Sequence, residues 1–332
     1  MKEIGGYFEL ELPASNTKFL HSNCVAVNSG RHALEYILRG LADNIKSIYL
    51  PYYTCEVVLQ PIIKLGIPYK FYHIDLNLEL KELPELKDGE YIILNNYFGI
   101  KDTYIEKIAD IYGEKAIIDN AQAWYAKESK HSPSFYSPRK FFGLPDGGYA
   151  GANHRLTEQL EQDASFDRCS HLLKRIDLTA SKGYDDFKSN SNQLQETPLK
   201  RMSKLTERIL QGIDMESVMK RRKENFKILN NALHESNLLP LPSIDSFECP
   251  MIYPYLTNDI ALRTKLIHNK IFVATYWPNV FNWCMENEIE YRLAKNLISL
   301  PIDQRYNNKD MHRIIQLIND FNNERENSRF RC

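Results

Sequence analysis

The chain has 332 residues, with 42 basic and 43 acidic side chains, a formal charge of −1, and 43% apolar and 26% charged residues. That is the composition of an ordinary globular protein of about two domains, without the excess of Lys and Arg that a nucleic-acid-binding field requires. No apolar run approaches the ~18 residues of a membrane-spanning helix, and Met1 to Leu10 carries acids where a signal peptide needs apolar residues.

In chain order, the first 150 residues alternate short apolar runs with helical patterns. Cys24 to Val27 reads as a buried strand. Arg31 to Ala42 has apolar residues at 33, 34, 37, 38 and 41, which is helical spacing. Ser47 to Leu50 is a second strand stopped by Pro51. Thr54 to Leu65 reads as a helix capped by Thr54 and closed by Gly66, with Pro61 inside it. Tyr69–Ile74 and Tyr91–Leu94 are strands, Asp102–Tyr112 is a helix closed by Gly113, and Ala116–Ile118 is a strand that runs into Asp119. This alternation predicts an α/β fold: a mostly parallel sheet, covered by helices on both faces, with ligands bound beyond the carboxyl ends of the strands.

Further on, Leu156–Ala164 is expected to be helical, Lys182–Thr197 a polar loop, and Pro198–Leu233 helical with a break at Gly212. The proline-rich stretch Pro240–Pro254 marks the crossing into a smaller α+β unit. That unit is expected to hold a helix near Ile260–His268, a strand near Ile271–Thr275 and a last helix over Lys309–Phe321. The division is drawn as residues 1–235 and 236–332. The six cysteines form no C-x-x-C pair and the nine histidines no H-E-x-x-H, so no metal site is predicted and a reduced, cytoplasmic setting is expected.

Three segments carry chemistry. Asn28-Ser29-Gly30-Arg31 places a small-residue turn at a helix N-terminus, where free N–H groups and the helix dipole attract a phosphate; a turn merely capped by Ser29 is the alternative. Asp119, three residues before Gln122, ends a buried strand, where a carboxylate needs a partner such as a protonated ring nitrogen or caps the next helix. Lys140 lies among aromatics ahead of Asp146-Gly147-Gly148. An apolar pocket there favours the neutral amine that attacks a carbonyl, whereas a surface lysine beside an aromatic core needs no pocket.

In this order the segments resemble the DegT/DnrJ/StrS family of pyridoxal-phosphate (PLP) sugar aminotransferases. Val27-Asn-Ser-Gly-Arg-His-Ala-Leu-Glu is similar to the family's first motif, and Ile48-Tyr-Leu-Pro-Tyr-Tyr-Thr-Cys to its second strand and turn. Leu65–Asp75, Asn95-Asn-Tyr-Phe-Gly and Ile118-Asp-Asn-Ala-Gln-Ala follow in register. Arg201-Met-Ser and Arg221-Arg-Lys-Glu-Asn sit where the family has its dimer-associated helices, and Ala294–Ile302 resembles its C-terminal signature.

The resemblance implies a PLP-transferase fold of type I. It also implies a homodimer with the active site at the subunit boundary. Lys140 would hold PLP as an imine and act as the base, Asp119 would pair with the pyridinium nitrogen, and Gln122 would contact the phenolic oxygen. Gly30 and Arg31 would offer N–H groups to the phosphate and Ser134 its hydroxyl, while Cys55 would lie over the ring. An amino donor such as glutamate and a keto sugar, nucleotide-linked and destined for a polysaccharide or glycosylated metabolite, would be the small-molecule partners.

The chain departs from the family at several positions. Counting forward from Ser134 lands on Arg139, while counting back from Asp146-Gly147-Gly148 lands on Lys140; Lys140 is preferred because arginine does not form the imine. Arg31 replaces a Thr, Leu199 an Asn contributed across the dimer, and Cys55 an aromatic or His, for which Tyr52 or Tyr53 is the expected substitute. Tyr276-Trp-Pro-Asn-Val replaces Tyr-x-Pro-x-His, so the acceptor pocket is expected to differ. A smaller non-nucleotide carbonyl substrate and an inactive binding or regulatory homologue are the competing readings.

Overall fold

The computed structural model describes residues 6–13, 20–42 and 44–329; residues 1–5 of the acidic start and Cys332 lie outside them. The apolar runs of the first half pair into a seven-stranded sheet. Its strands are β1 (Val25–Val27), β2 (Ser47–Pro51), β3 (Tyr69–Tyr72), β4 (Glu90–Asn95), β5 (Ala116–Asn120), β6 (Ser134–Tyr136) and β7 (Gly148–Gly151), in the order β1-β7-β6-β5-β4-β2-β3. The pairs from β3 through β6 are parallel, and β7 is antiparallel to both β6 and β1. The sheet is mixed α/β and mostly parallel, as expected. The first strand is an edge strand beside β7 rather than a neighbour of β2.

Helices cover both faces. α1 (Gly30–Gly40) and α2 (Leu59–Lys64) pack with Val27, Ile48, Ile93, Ile117 and Phe135 on one face, and α3 (Asp102–Tyr112) with Ile92, Leu94 and Ile118 on the other. Successive strand side chains point to opposite faces, so strands covered on both sides must read as continuous apolar runs, as β4 and β5 do.

α4 (Ser170–Asp177), α5 (Tyr184–Glu196), α6 (Lys204–Gln211) and α7 (Met215–Leu233) follow. The C-terminal part adds β8 (Ile252–Leu256), α8 (Ala261–His268), α9 (Val280–Trp283), α10 (Ile289–Asn296), β9 (Leu297–Pro301) and α11 (Asn308–Arg329), with β8 and β9 forming a separate antiparallel pair. In α7, where the resemblance implied a dimer-associated helix, Arg222 and Asn225 bind groups of the same chain. The Arg222 guanidinium donates to the Met251 and Phe141 carbonyls (2.9 and 3.2 Å) and lies 4.6 Å from the Phe141 ring centroid, while Asn225 Nδ2 donates to the Ile302 carbonyl (3.1 Å).

Four expectations are corrected. Residues 182–197 are not a loop but carry α5, fixed by Lys174–Asp186 (2.8 Å) and by Asn190 Nδ2 donating to the Pro145 carbonyl (2.8 Å). Residues 156–164 are not helical, because their backbone groups bind elsewhere: Leu156 N–H donates to the Tyr36 hydroxyl (3.0 Å), and Glu161 and Asp163 pair with Arg201. Residues 271–275 form no strand, since the Ala274 carbonyl accepts from Arg263 and Ser299 side chains. Thr54 does not cap the second helix; its hydroxyl accepts from Asn95 Nδ2 (2.9 Å), and a short 3-10 turn at Glu56–Val58 precedes α2.

Candidate active site

The site is built where β2, β4, β5 and β6 end and α1 begins. Ser29 caps α1, accepting from the His32 N–H at 3.1 Å. The first-turn N–H groups of a helix have no intrahelical acceptor and carry the positive end of the dipole. Gly30 lets β6 approach this turn, since a Cβ there would lie 3.1 Å from Ser137 Cβ. The Gly147 N–H donates to the Asn28 carbonyl (2.8 Å). Gly148 has no room for a side chain, because a Cβ would lie 2.1 Å from the Ser29 carbonyl oxygen. The Gly-Gly pair thus presses β7 against the start of α1. Asp146 holds the same turn to α6: its carboxylate accepts from the Ser203 N–H and hydroxyl (2.8 and 2.7 Å) and from the Thr206 hydroxyl.

Two guanidinium groups meet here with nitrogens lacking partners. Arg31 Nε and Nη1 and Arg139 Nε are buried without hydrogen bonds. Burial pushes Arg139 down to about 10, with Asp146 opposing and the nearby Arg31 and Arg168 adding to the fall. Arg31 is lowered by burial as well. Two half-buried cations near a helix N-terminus, each with buried nitrogens short of acceptors, make an arrangement whose chemistry suits an anion.

Asp119, 8% exposed, is held by the Ala121 N–H (2.8 Å). Burial raises its pKa, and the Lys140 ammonium lies close enough to oppose that rise. The Cys55 thiol, raised by burial, also feels Lys140, and Arg31 in turn feels Cys55. Gln122 Oε1 accepts from the Phe98 N–H (3.1 Å), and its Nε2 is buried without a partner. The motifs brace one another: Asn96 Nδ2 reaches Asp102 (2.6 Å) and Asn120 (3.1 Å), and a Cβ on Gly99 would lie 2.7 Å from the Cys249 carbonyl.

The fold therefore gathers Gly30, Arg31, Cys55, Asp119 and Lys140, with Gln122 three residues from Asp119. Ser134 is not among them. Phe135, paired with Asp119, joins the α1-side core, so its neighbours Ser134 and Tyr136 face the other side of the sheet, and the Ser134 hydroxyl donates to Tyr136 (3.3 Å). Ser137, not Ser134, is the serine beside Gly30. Lys140 is exposed at the end of a 3-10 turn (Pro138–Lys140), so the expected apolar enclosure is absent from the single chain.

Tyr52 and Tyr53, expected to replace the missing ring, are engaged elsewhere. Tyr52 stacks on Phe71 (4.7 Å, 17°), and Tyr53 is fully buried against Trp277 (5.0 Å). Leu199 is buried within the chain's own core. Sequence reasoning did not place Ser137 beside Gly30 or Arg139 Nε among the buried unpartnered nitrogens, and it named Tyr276, whose hydroxyl is pushed up to about 12 by burial and by the nearby Cys55, only as part of the altered C-terminal motif. The run Ser137-Pro-Arg-Lys held the signal for the first two.

No family model matches the chain, and no curated protein does. Solved structures do resemble it. A DegT DnrJ EryC1 StrS aminotransferase from Brucella abortus superposes with a TM-score of 0.62 at 16% identity, over 90% of this chain and 85% of that one. The PLP-form of the putative sugar aminotransferase Spr1654 from Streptococcus pneumoniae gives 0.61 at 16%, over 88% and 85%. DesI in the presence of its TDP-sugar product gives 0.61 at 15%, over 89% and 79%. At such identities the likeness establishes architecture: this chain has the fold of the solved sugar aminotransferases.

Proposed function

We propose that the protein is a PLP-dependent aminotransferase that moves an amino group, from glutamate or a similar donor, to a keto sugar carried on a nucleotide. The observation that carries this reading is Asp119, buried at the carboxyl end of β5, on the same rim of the sheet as the α1 N-terminus, where buried nitrogens of Arg31 and Arg139 have no hydrogen-bond partner. The residues fit the cofactor. Arg31, Arg139, Ser137 and the first N–H groups of α1 suit its phosphate, Asp119 its protonated ring nitrogen, and Gln122 Nε2 its phenolic oxygen. When bound, PLP supplies an electron sink for a carbanion.

The chain's own groups do the rest. Asp119, raised by burial, is drawn to ionise by a cationic partner and so keeps a ring nitrogen protonated. Lys140 Nζ, in its neutral form, is the group that would take a proton from carbon and return it. Arg31 and Arg139 would hold the phosphate end and so limit how the bound group can turn relative to Lys140.

The exposure of Lys140 supports a site completed by a second copy of the chain. Leu173, Ile176, Leu178, Tyr184 and Phe187 on and beside α4 and α5, with Phe166 ahead of them, are exposed apolar side chains suited to a homodimer contact. The division at 235/236, a cytoplasmic setting and a role in polysaccharide or glycoconjugate synthesis belong to the same proposal; no helix among the described residues is long and apolar enough to cross a membrane.

Borohydride reduction of the protein incubated with PLP should fix the cofactor on the peptide holding Lys140, and Lys140→Ala should lose the label. Retention of the label in that variant, or its absence from the wild type, overturns the assignment. Equal turnover of free and nucleotide-linked keto sugars would favour the smaller carbonyl substrate.

A further inference from the structure

A second cluster, apart from the cofactor residues, lies on the sheet face away from α1. His21, Cys24 and Glu128 each direct one donor atom inward, and the three atoms lie within 4.8 Å of one another. The His21 ring is fixed by Tyr136 (4.0 Å between centroids) and, edge-on, by Trp124 (4.4 Å). Its Nε2 lies 2.7 Å from the Trp124 carbonyl. A carbonyl only accepts, so Nε2 carries the proton and Nδ1 keeps its lone pair. That Nδ1 is buried without a hydrogen bond, in a residue 2% exposed, and lies 3.9 Å from Glu128 Oε1.

We propose that His21 Nδ1, Cys24 Sγ and a Glu128 carboxylate oxygen form a Zn²⁺ site, with water as the fourth ligand. The set is one nitrogen, one sulfur and one oxygen, which a tetrahedral, borderline-soft divalent ion takes, and ligand atoms around such an ion stand roughly 3.3–3.7 Å apart. From separations of up to 4.8 Å the donors need to close by about 1.5 Å at most to reach that spacing. The imidazole already shows the support that a metal-bound histidine needs, its other nitrogen donating to a backbone carbonyl.

Charge agrees. Cys24 Sγ and a Glu128 carboxylate oxygen lie within 4.8 Å of the free His21 nitrogen, so a divalent ion there would meet two groups able to carry negative charge. On binding, the S–H proton leaves to solvent, the S–Zn bond forms, and thiolate and carboxylate together neutralise the divalent charge. The ion would tie the segment ahead of β1 to the β5–β6 connection, which begins after Asn120.

The test uses the full chain, dialysed against EDTA and titrated with Co²⁺ and Zn²⁺. The expected result is one Co²⁺ per chain with a sulfur-to-cobalt charge-transfer band, displaced by Zn²⁺, and release of one proton from Cys24. Cys24→Ser should abolish the band. Glu128→Gln, at a partly exposed position, should weaken Zn²⁺ by about tenfold or more while the metal-free variant melts with the metal-free wild type. No uptake at micromolar Zn²⁺, uptake without the sulfur band, or unchanged uptake in both variants would overturn the site. None of these readouts depends on PLP, so they stand apart from the aminotransferase proposal.

Discussion

Gly148 is the position where one methyl group has the most predictable effect. A Cβ there would lie 2.1 Å from the Ser29 oxygen, 2.2 Å from its carbon and 2.6 Å from Gly30 N, all backbone atoms. No rotamer change relieves such a clash, so β7 and the first turn of α1 must separate. Overpacking of this kind costs about 1–3 kcal/mol and occasionally more. The more rigid unfolded chain worsens nothing, since alanine's loss of unfolded-state entropy offsets about 0.4–1 kcal/mol. With backbone on both sides of the clash we expect Gly148→Ala to lose about 2–3 kcal/mol net, or about 3–4 °C in melting temperature for a chain of this length.

The separating turn is also the phosphate cradle, so PLP should bind the variant more weakly. Gly143→Ala is the control: its Cβ would meet nothing closer than 3.5 Å, and it should melt within about 2 °C of wild type. Thermal unfolding with and without PLP measures both effects. A Gly148→Ala protein that melts within about 1 °C of wild type and binds PLP unchanged would refute the packing argument.

Two other outcomes follow from the same turn. Arg31→Ala and Arg139→Ala should each weaken PLP by roughly 10- to 150-fold, the equivalent of about 1.5–3 kcal/mol for a charge-assisted hydrogen bond, and leave pyridoxal without its phosphate unaffected; equal loss for both vitamers would remove these arginines from the anion site. His32 is lowered to about 4 by burial, with Arg31 and Lys64 adding to the shift and Glu35 and the Thr197 carbonyl opposing it. Its neutral form is the folded one, so its contribution is complete above pH ~6.5 and is lost as pH falls toward 4, about 1.4 kcal/mol per pH unit at the steepest. Urea unfolding from pH 4.5 to 7.5 should therefore show a flatter dependence in His32→Gln than in wild type, and superimposable slopes would show that His32 does not titrate between the two states.

Local pattern alone determined the α/β alternation. The helix over Asp102–Tyr112 has in the structure the bounds its periodicity gives, and β4 and β5 were legible because both faces of the sheet are covered. Four strands, β6 to β9, were not read from the pattern, and for β8 and β9 the reason is topological. In a two-stranded sheet every strand is an edge, so Pro254 sits within β8 without removing an interior ladder bond, and a proline-rich stretch reads as a crossing. α5 buries little beyond Asn190 and Leu194, so its helicity rests on distant partners that periodicity does not contain.

At the site, order along the chain brought Asp119, Lys140, Gly30, Arg31 and Cys55 into one hypothesis. The choice between Ser134 and Ser137, however, is a question of strand parity. One residue decides which face of the sheet a side chain meets, and only the pairing of Phe135 with Asp119 fixes it. The same holds for Arg139, which reads as the wrong residue for an imine until burial beside Arg31 shows two cations lacking acceptors, and for His21, Cys24 and Glu128, whose spacing in the chain suggests nothing. Sequence sets which groups are present; the parity of β6 and the path of the β5–β6 connection set which of them meet.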